Sequence, residues 1–473
     1  MQRYQTKIGG IAVDTGSVAV VHNPYDGTAL GEVGVASERV VEQAIASVVT
    51  GFEATRRMAT HQRATLLEGI ASGLRTRASE LSALIARESG KPIRYARAEV
   101  ARGVTTFTLA AAEARVLAGE VLPIDQQPGQ EGRLCLTRRV PRGPVAAISP
   151  FNFPLNLVAH KLAPALAVGA SMVLKPAAQS PLTAHVLSDI ADEAGAPPGA
   201  FDVIHCSAEL GQRLVEDPRL KVLSFTGSDE LGWRLKQLAS KKQVILELGG
   251  NAPCIVDEGV DLDQVMPRIL ESAWANGGQV CIKAQRIFVH ARSFEAFLAR
   301  FVDETARLGV GDPMDEATVV GPLIEARHVA RVLSWIEEAR SAGARILCGG
   351  RAQGQLVWPT VLTGTEPNQR VRELEVFGPV TVVESAHSFE HALALANAGR
   401  FGLQASVFTP NLAHALLAYQ ELDFGAVLVN DATSFRVDNY PYGGTRDSGF
   451  GREGVRYAME EMSEPKVLVL RSN

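Results

Sequence analysis

A chain of 473 residues is too long for one hydrophobic core, so two or three domains are implied. Hydrophobic residues make up 46% and charged residues 21%, as in ordinary globular proteins, and a net charge of −5 with no basic stripe argues against a nucleic-acid partner. Five scattered cysteines, never in a C-x-x-C pair, argue against a disulfide framework or a metal site and for a reducing, cytoplasmic setting.

The N-terminal MQRYQTKIGG has no apolar core of a secretory signal, and no apolar stretch is long enough to span a bilayer. With 43 glycines and only 6% aromatics, the balance favours α/β architecture with tight strand-to-helix turns. Residues 1–36 read as short strands and turns, with HNPYDGT (22–28) as a loop. From Ser37 to about Gly119 the apolar spacing is helical. EGRLCLTRRV (131–140) alternates like a strand.

Between 144 and 247, strands VAAIS, SMVLK, FDVI, VLSFT and QVILEL alternate with helical stretches. Parallel neighbours need such crossovers, so a doubly wound parallel sheet is predicted, with ligands beyond the carboxyl ends of its strands. A second alternating series runs to about residue 430, with strands near 253–256, 285–290 and 378–384 and helices near 261–275, 293–308 and 324–342. PKVLVL (465–470) closes the chain as a strand.

Five stretches carry chemistry. ANGGQVCIKAQR (275–286) sets Cys281 after a flexible turn, where a thiol can be exposed as a nucleophile, although a lone cysteine is more often a small core residue. ELGGNAP (247–253) ends a strand with Glu247, a candidate general base or a solvated strand end. In SPFNFP (149–154), Asn152 can donate to an oxyanion or simply cap a helix. Lys175 ends the strand in VLKP and suits a nucleotide's ribose or phosphate, or snorkels at the surface. FTGSDELG (225–232) holds Gly227 and Ser228 before a helix whose N–H groups suit a pyrophosphate, or are merely capped.

In their order and spacing, PFNFP, KP, FTGS, ELGGNAP, GQVC and EVFGP (375–379) resemble the aldehyde dehydrogenase superfamily, from about residue 20 to 471. With NDATSFRVDNYPYGGTRDSGFGREG (430–454), the likeness is greatest to the lactaldehyde and non-phosphorying glyceraldehyde-3-phosphate dehydrogenase-like branch. The resemblance implies a Rossmann-like cofactor domain (1–119 and 141–248), an α/β catalytic domain (249–429), and an oligomerisation arm with C-terminal segment (120–140 and 430–473).

It further implies Cys281 as nucleophile, Asn152 and the Cys281 N–H as oxyanion donors, and Glu247 as activator of the deacylating water. Ser149, Pro150, Lys175, Gly227, Ser228, Glu375 and Phe377 would hold NAD or NADP. The product would be a carboxylic acid, formed through a thiohemiacetal and a thioester on the cysteine, by a homodimer or homotetramer. Alternatives are a CoA-acylating enzyme or a non-catalytic binding protein on the same scaffold.

Many NAD-specific relatives place an acidic residue three positions after the lysine; here that position is Ala178, followed by Gln179, which suggests that NADP is accepted. Val280 stands where several enzymes of phosphorylated aldehydes have arginine. Arg102, His160 and Arg436, with Arg286 and Arg446 as further candidates, could supply positive charge to a small hydroxylated or anionic aldehyde.

Overall fold

A computed structural model of the chain describes residues 2–471; Met1 and residues 472–473, at the extremes of the two outer implied segments, lie outside it. Four successive helices fill the stretch read as helical, from Glu38 to Val116. The last, α1 (Ile93–Val116), buries Ala96, Val100, Gly103, Phe107, Ala110 and Ala114. Spacings of three and four put these on one face.

The strand-helix alternation from residue 144 becomes β1 (Val145–Ile148), α2 (Asn156–Val168), β2 (Met172–Lys175), α3 (Leu182–Glu193), β3 (Phe201–Val203), α4 (Ala208–Glu216), β4 (Val222–Thr226), α5 (Asp229–Leu238) and β5 (Gln243–Glu247). The five strands pair in parallel in the order β3-β2-β1-β4-β5. Their continuous apolar runs fit burial on both faces. The order reverses between β1 and β4, which opens a crevice at the carboxyl ends of the strands. α2 is buried along its whole length, packed on α1 and on the helix Val455–Glu461, which explains its Ala- and Leu-rich sequence.

The second series comprises β6 (Ala252–Val256), α6 (Leu262–Trp274), β7 (Ala284–His290), β8 (Arg345–Cys348), β9 (Thr360–Thr363), β10 (Val380–Ala386), β11 (Gln404–Phe408) and β12 (Ala426–Val429). These form a seven-stranded sheet in the order β8-β9-β10-β7-β6-β11-β12, parallel except for β8 against β9. The sequence reading located β6, β7 and β10. It did not separate β8, β9, β11 and β12, because short apolar runs carry no periodicity that distinguishes strand from helix.

A two-residue strand, β13 (Gly449–Phe450), returns to the first sheet and pairs antiparallel with Leu246 and Glu247 of β5. Arg133–Pro141 pairs antiparallel with Ser463–Arg471, and Val121–Leu122 adds a third strand to this projecting sheet. Its side chains Val121, Leu134, Val467, Leu468, Val469 and Leu470 are exposed.

A buried ion pair ties α1 to the loop between β1 and α2. Lys91 and Glu99 pair with both side chains at 0% exposure, and the Lys91 ammonium lies 3.6 Å from the centre of the Phe153 ring. The other Glu99 oxygen accepts N–H bonds from Leu155 (2.9 Å) and Asn156 (3.1 Å), donors at a helix start that lack partners within the helix. Glu99→Gln leaves a buried ammonium without its counter-charge, and urea unfolding should show a loss of about 3–5 kcal/mol. Combining it with Lys91→Met should recover most of that loss; a single variant as stable as the parent would deny the pin its role.

Candidate active site

After α6 the chain turns sharply through Ala275–Gly278, with Asn276 (φ 54°), Gly277 (φ 62°) and Gly278 (φ 69°) all left-handed. A Cβ on Gly278 would lie 2.3 Å from the Gly378 carbonyl oxygen, so the second glycine is sterically required. This turn delivers Cys281 to a half-buried position facing a cavity, with its Sγ 3.6 Å from the Tyr442 hydroxyl. Burial pushes the thiol up to about 11; the bond from Tyr442 is the largest opposing influence.

Asn152 sits in the β1-to-α2 loop, 4% exposed, and does not cap the helix. Its Nδ2 donates to the Gln279 carbonyl at 3.0 Å, two residues before Cys281. That bond orients the amide toward the turn bearing Cys281 and leaves its second N–H unspent.

Glu247, at the end of β5, is 3% exposed, and neither carboxylate oxygen has a partner among the described residues. Burial first, and the Glu453 carboxylate second, hold its carboxyl well above the usual range. Glu453 shows the opposite behaviour. Burial opposes its charge, but Lys161 (3.1 Å), His160 and Arg436 (3.1 Å) outweigh it and hold the carboxyl well below the usual range. Two neighbouring carboxyls are thus driven apart in acidity, which is the condition for giving them different tasks.

On the crevice side, Ser149 and Lys175 leave adjacent strands together, with the Ser149 N–H donating to the Lys175 carbonyl at 3.2 Å. The Ser149 hydroxyl is buried without a partner among the described residues. The Lys175 stem lies against Gly211, where a Cβ would fall 2.6 Å from Cδ. Pro150 continues this edge, and Gly227 leads into Ser228, which stands at the start of α5 without a side-chain cap bond. The hydroxyl and the helix N–H groups are therefore available to an anion, although Asp229 and Glu230 occupy the same turn, with Asp229 paired to Arg400 at 2.8 Å.

Glu375 accepts the Gly250 N–H at 3.0 Å, and burial pushes its carboxyl up to about 8. A Cβ on Gly249 would lie 2.6 Å from the same carboxylate. Phe377, with φ 44°, sets its ring edge-on to Phe151 at 5.9 Å. Unspent hydroxyls, a lysine, an open helix start and a glycine-lined carboxylate form a donor and acceptor set that fits a dinucleotide laid along the strand ends.

The cavity in front of Cys281 holds about 240 Å³ and is lined by Arg102, Phe153, His160, Arg436 and Tyr442 among others. Arg102 grips Asp438 through Nε and Nη2, and His160 Nε2 lies 3.1 Å from the same carboxylate. Arg436 donates to His160 Nδ1 (2.9 Å) and to Glu453 (3.1 Å), with its guanidinium 3.5 Å from the centre of the Tyr442 ring. All three residues proposed to face a substrate therefore reach one space.

The other two arginines do not. Arg286 is 2% exposed and bound to the carbonyls of Asn251, Leu395 and Ala396, and Arg446 serves those of Asn397, Gly399 and Asp423. Both tie loops together through backbone acceptors, which overturns the expectation that they supply charge to substrate. Tyr442, Asp438, Glu453 and Lys161 were not singled out from the sequence. The first three lie in the 430–454 stretch marked as a signature, whose acidic and aromatic residues could have flagged them.

The aldehyde dehydrogenase family model matches residues 12–468. A 3-sulfolactaldehyde dehydrogenase of Priestia aryabhattai is 39% identical over 471 residues, spanning 99% of this chain and 98% of its own length. Among solved structures, aldehyde dehydrogenase 21 of Physcomitrella patens, in complex with the reaction product succinate, aligns with a TM-score of 0.97 at 39% identity, covering 99% of this chain and 98% of that one. A glyceraldehyde-3-phosphate dehydrogenase of Methanocaldococcus jannaschii, complexed with NADP, aligns with a TM-score of 0.92 at 36% identity, covering 96% and 99%.

Proposed function

The chain belongs to the aldehyde dehydrogenase family, NAD(P)-dependent enzymes that oxidise an aldehyde to its carboxylic acid, and we propose that Cys281 performs that reaction with Asn152 and Glu247. The observation that carries this reading is the convergence on Cys281: the Asn152 amide tied to Gln279 in the turn before it, and Arg102, His160 and Arg436 around the cavity it faces.

The Cys281 thiolate adds to the aldehyde carbon. The new oxyanion accepts from the free Asn152 N–H and the Cys281 backbone N–H, donors that gain strength only as the charge develops. When bound, the nicotinamide cofactor supplies the two-electron acceptor. Lys175, Ser149, Gly227 and Ser228 would hold its nucleotide part, with Pro150 shaping that edge, while Glu375 and Phe377 would hold the nicotinamide end. Glu247 then takes a proton from water, the resulting hydroxide adds to the Cys281 acyl group, and the thiolate leaves as the acid forms.

The substrate we infer is a short aldehyde with a hydroxyl or anionic group. Arg102 and Arg436 line the cavity that Cys281 faces, and similar proteins include a 3-sulfolactaldehyde dehydrogenase and an aldehyde dehydrogenase whose reaction product is succinate. With Ala178 in place of an acidic residue, nothing at that position repels a 2′-phosphate. The apolar side chains exposed on the arm sheet support a homodimer or homotetramer, since edge strands of this kind pair with another copy. Five unpaired cysteines support a cytoplasmic setting, and among the described residues no helix is long and apolar enough to cross a membrane.

Glu247→Gln should give one burst of NAD(P)H per active site and then stall as the acyl-enzyme, read by stopped-flow absorbance; sustained turnover would refute the base assignment. Because the carboxyl is held well above 4.5, its base form is lost as pH falls through that raised value, so steady-state turnover of the parent should fall on the acid side. A matrix of aldehydes against both cofactors should show kcat/KM at least about tenfold higher for anionic or hydroxylated aldehydes than for alkyl ones, a difference of one charge-assisted bond. NADP should be used at least as well as NAD; strong NAD preference would reject the Ala178 argument. Val467→Lys with Val469→Lys should shift sedimentation from a multiple of 50.6 kDa toward the monomer; an unchanged mass would exclude the arm as the contact.

A further inference from the structure

Tyr442 makes one side-chain hydrogen bond among the described residues, to the Cys281 sulfur at 3.6 Å. The ring is 2% exposed, and its position is fixed from three sides. Its N–H donates to the Glu453 carbonyl at 2.9 Å and its carbonyl accepts the Glu453 N–H at 2.6 Å. The Glu453 carboxylate accepts from Arg436, whose guanidinium lies 3.5 Å from the centre of the Tyr442 ring. Tyr442, Glu453 and Arg436 thus close a loop that leaves the hydroxyl one direction to point.

A phenylalanine would fill the same volume and keep the contact with Arg436. The hydroxyl therefore adds one thing, a bond to the nucleophile, and a buried hydroxyl without a partner is unfavourable. Once the thiol ionises, only the phenol can donate, and a hydrogen bond to a charged acceptor is stronger than a neutral one. The Arg436 cation over the ring face draws on the same electrons and makes the O–H a better donor. Burial keeps the phenol protonated well beyond neutral pH, so the proton is present when the thiolate needs it.

We propose that Tyr442 is a catalytic residue whose hydroxyl donates to the Cys281 thiolate, favouring the ionised nucleophile over the thiol and aiming it at the cavity. No bond to carbon or sulfur is made or broken by the tyrosine, and its proton stays on oxygen throughout. The inference rests on Cys281 being the nucleophile. Besides Tyr442, the charged groups that bear on the sulfur are Glu375, Arg436 and Glu247, all retained in the variants below.

The test follows iodoacetamide alkylation of the Cys281 peptide against pH in the full-length protein, with Cys281→Ala identifying the signal. Tyr442→Phe should move the profile up by about one pH unit, an approximately tenfold slower reaction at pH 8. The acylation burst should slow in proportion, with aldehyde KM and melting temperature unchanged. A fluorinated tyrosine at position 442, a stronger donor of the same shape, should move the profile down, and this arm decides the matter if Tyr442→Phe does not fold. Profiles that coincide with the parent, or that move the same way for both replacements, would overturn the proposal. Full turnover by Cys281→Ala would instead remove the nucleophile assignment, and this inference with it.

Discussion

The organising constraint is the passage of the backbone through Gly249 and Gly250 between the two sheets. A Cβ on Gly250 would lie 2.2 Å from the Cys281 carbonyl oxygen, and one on Gly249 would lie 2.6 Å from the Glu375 carboxylate. A side chain at Gly250 would have to displace backbone, and one at Gly249 would push away the Glu375 carboxylate. Because the chain can thread this gap, the strand end bearing Glu247, the turn bearing Cys281 and the loop bearing Glu375 are brought together around these two glycines. The N–H of Gly250 then serves Glu375 directly.

Around that crossing lies a network of ion pairs, Arg102 with Asp438 and both Lys161 and Arg436 with Glu453, with His160 between Asp438 and Arg436. Each charge has an opposite neighbour, which is the arrangement under which burial of ions is tolerated. Against this set Glu247 stands apart: among the described residues neither of its oxygens has a partner, and burial holds its carboxyl well above the usual range. The contrast is positional. Glu453 faces Lys161 and Arg436 at hydrogen-bond distance, whereas Glu247 feels them only through space.

Much of the first sheet was legible in the sequence because parallel strands covered on both faces read as unbroken apolar runs, and the helices between them carry their own period. Asn152, Lys175, Ser228 and Glu247 were singled out for the same reason, since each follows such a run and strand ends are where such folds place ligands. Short strands such as Thr360–Thr363 and Gln404–Phe408 escaped because four or five residues carry too little pattern. Tyr442, Asp438 and Glu453 escaped because the 430–454 stretch is largely irregular, and its side chains acquire meaning only from partners hundreds of residues away, such as Arg102 and Lys161. Arg286 and Arg446 show the converse error: a charge near a motif looks like a ligand group until its backbone acceptors are seen.

The order in which these parts occur along the chain has a consequence for biosynthesis. The thiol at 281 leaves the ribosome long before Arg436, Asp438, Tyr442 and Glu453, which line or brace its cavity, and before Gly449–Phe450, which pairs with the strand bearing Glu247. Domains fold as they are synthesised, N-terminal portions first. A nascent chain lacking the late segment therefore has Cys281 without its brace, and α2 and β5 without the helix Val455–Glu461 and the strand Gly449–Phe450 that pack against them. The last part of the chain to be made thus completes both the cavity before Cys281 and the edge of the first sheet.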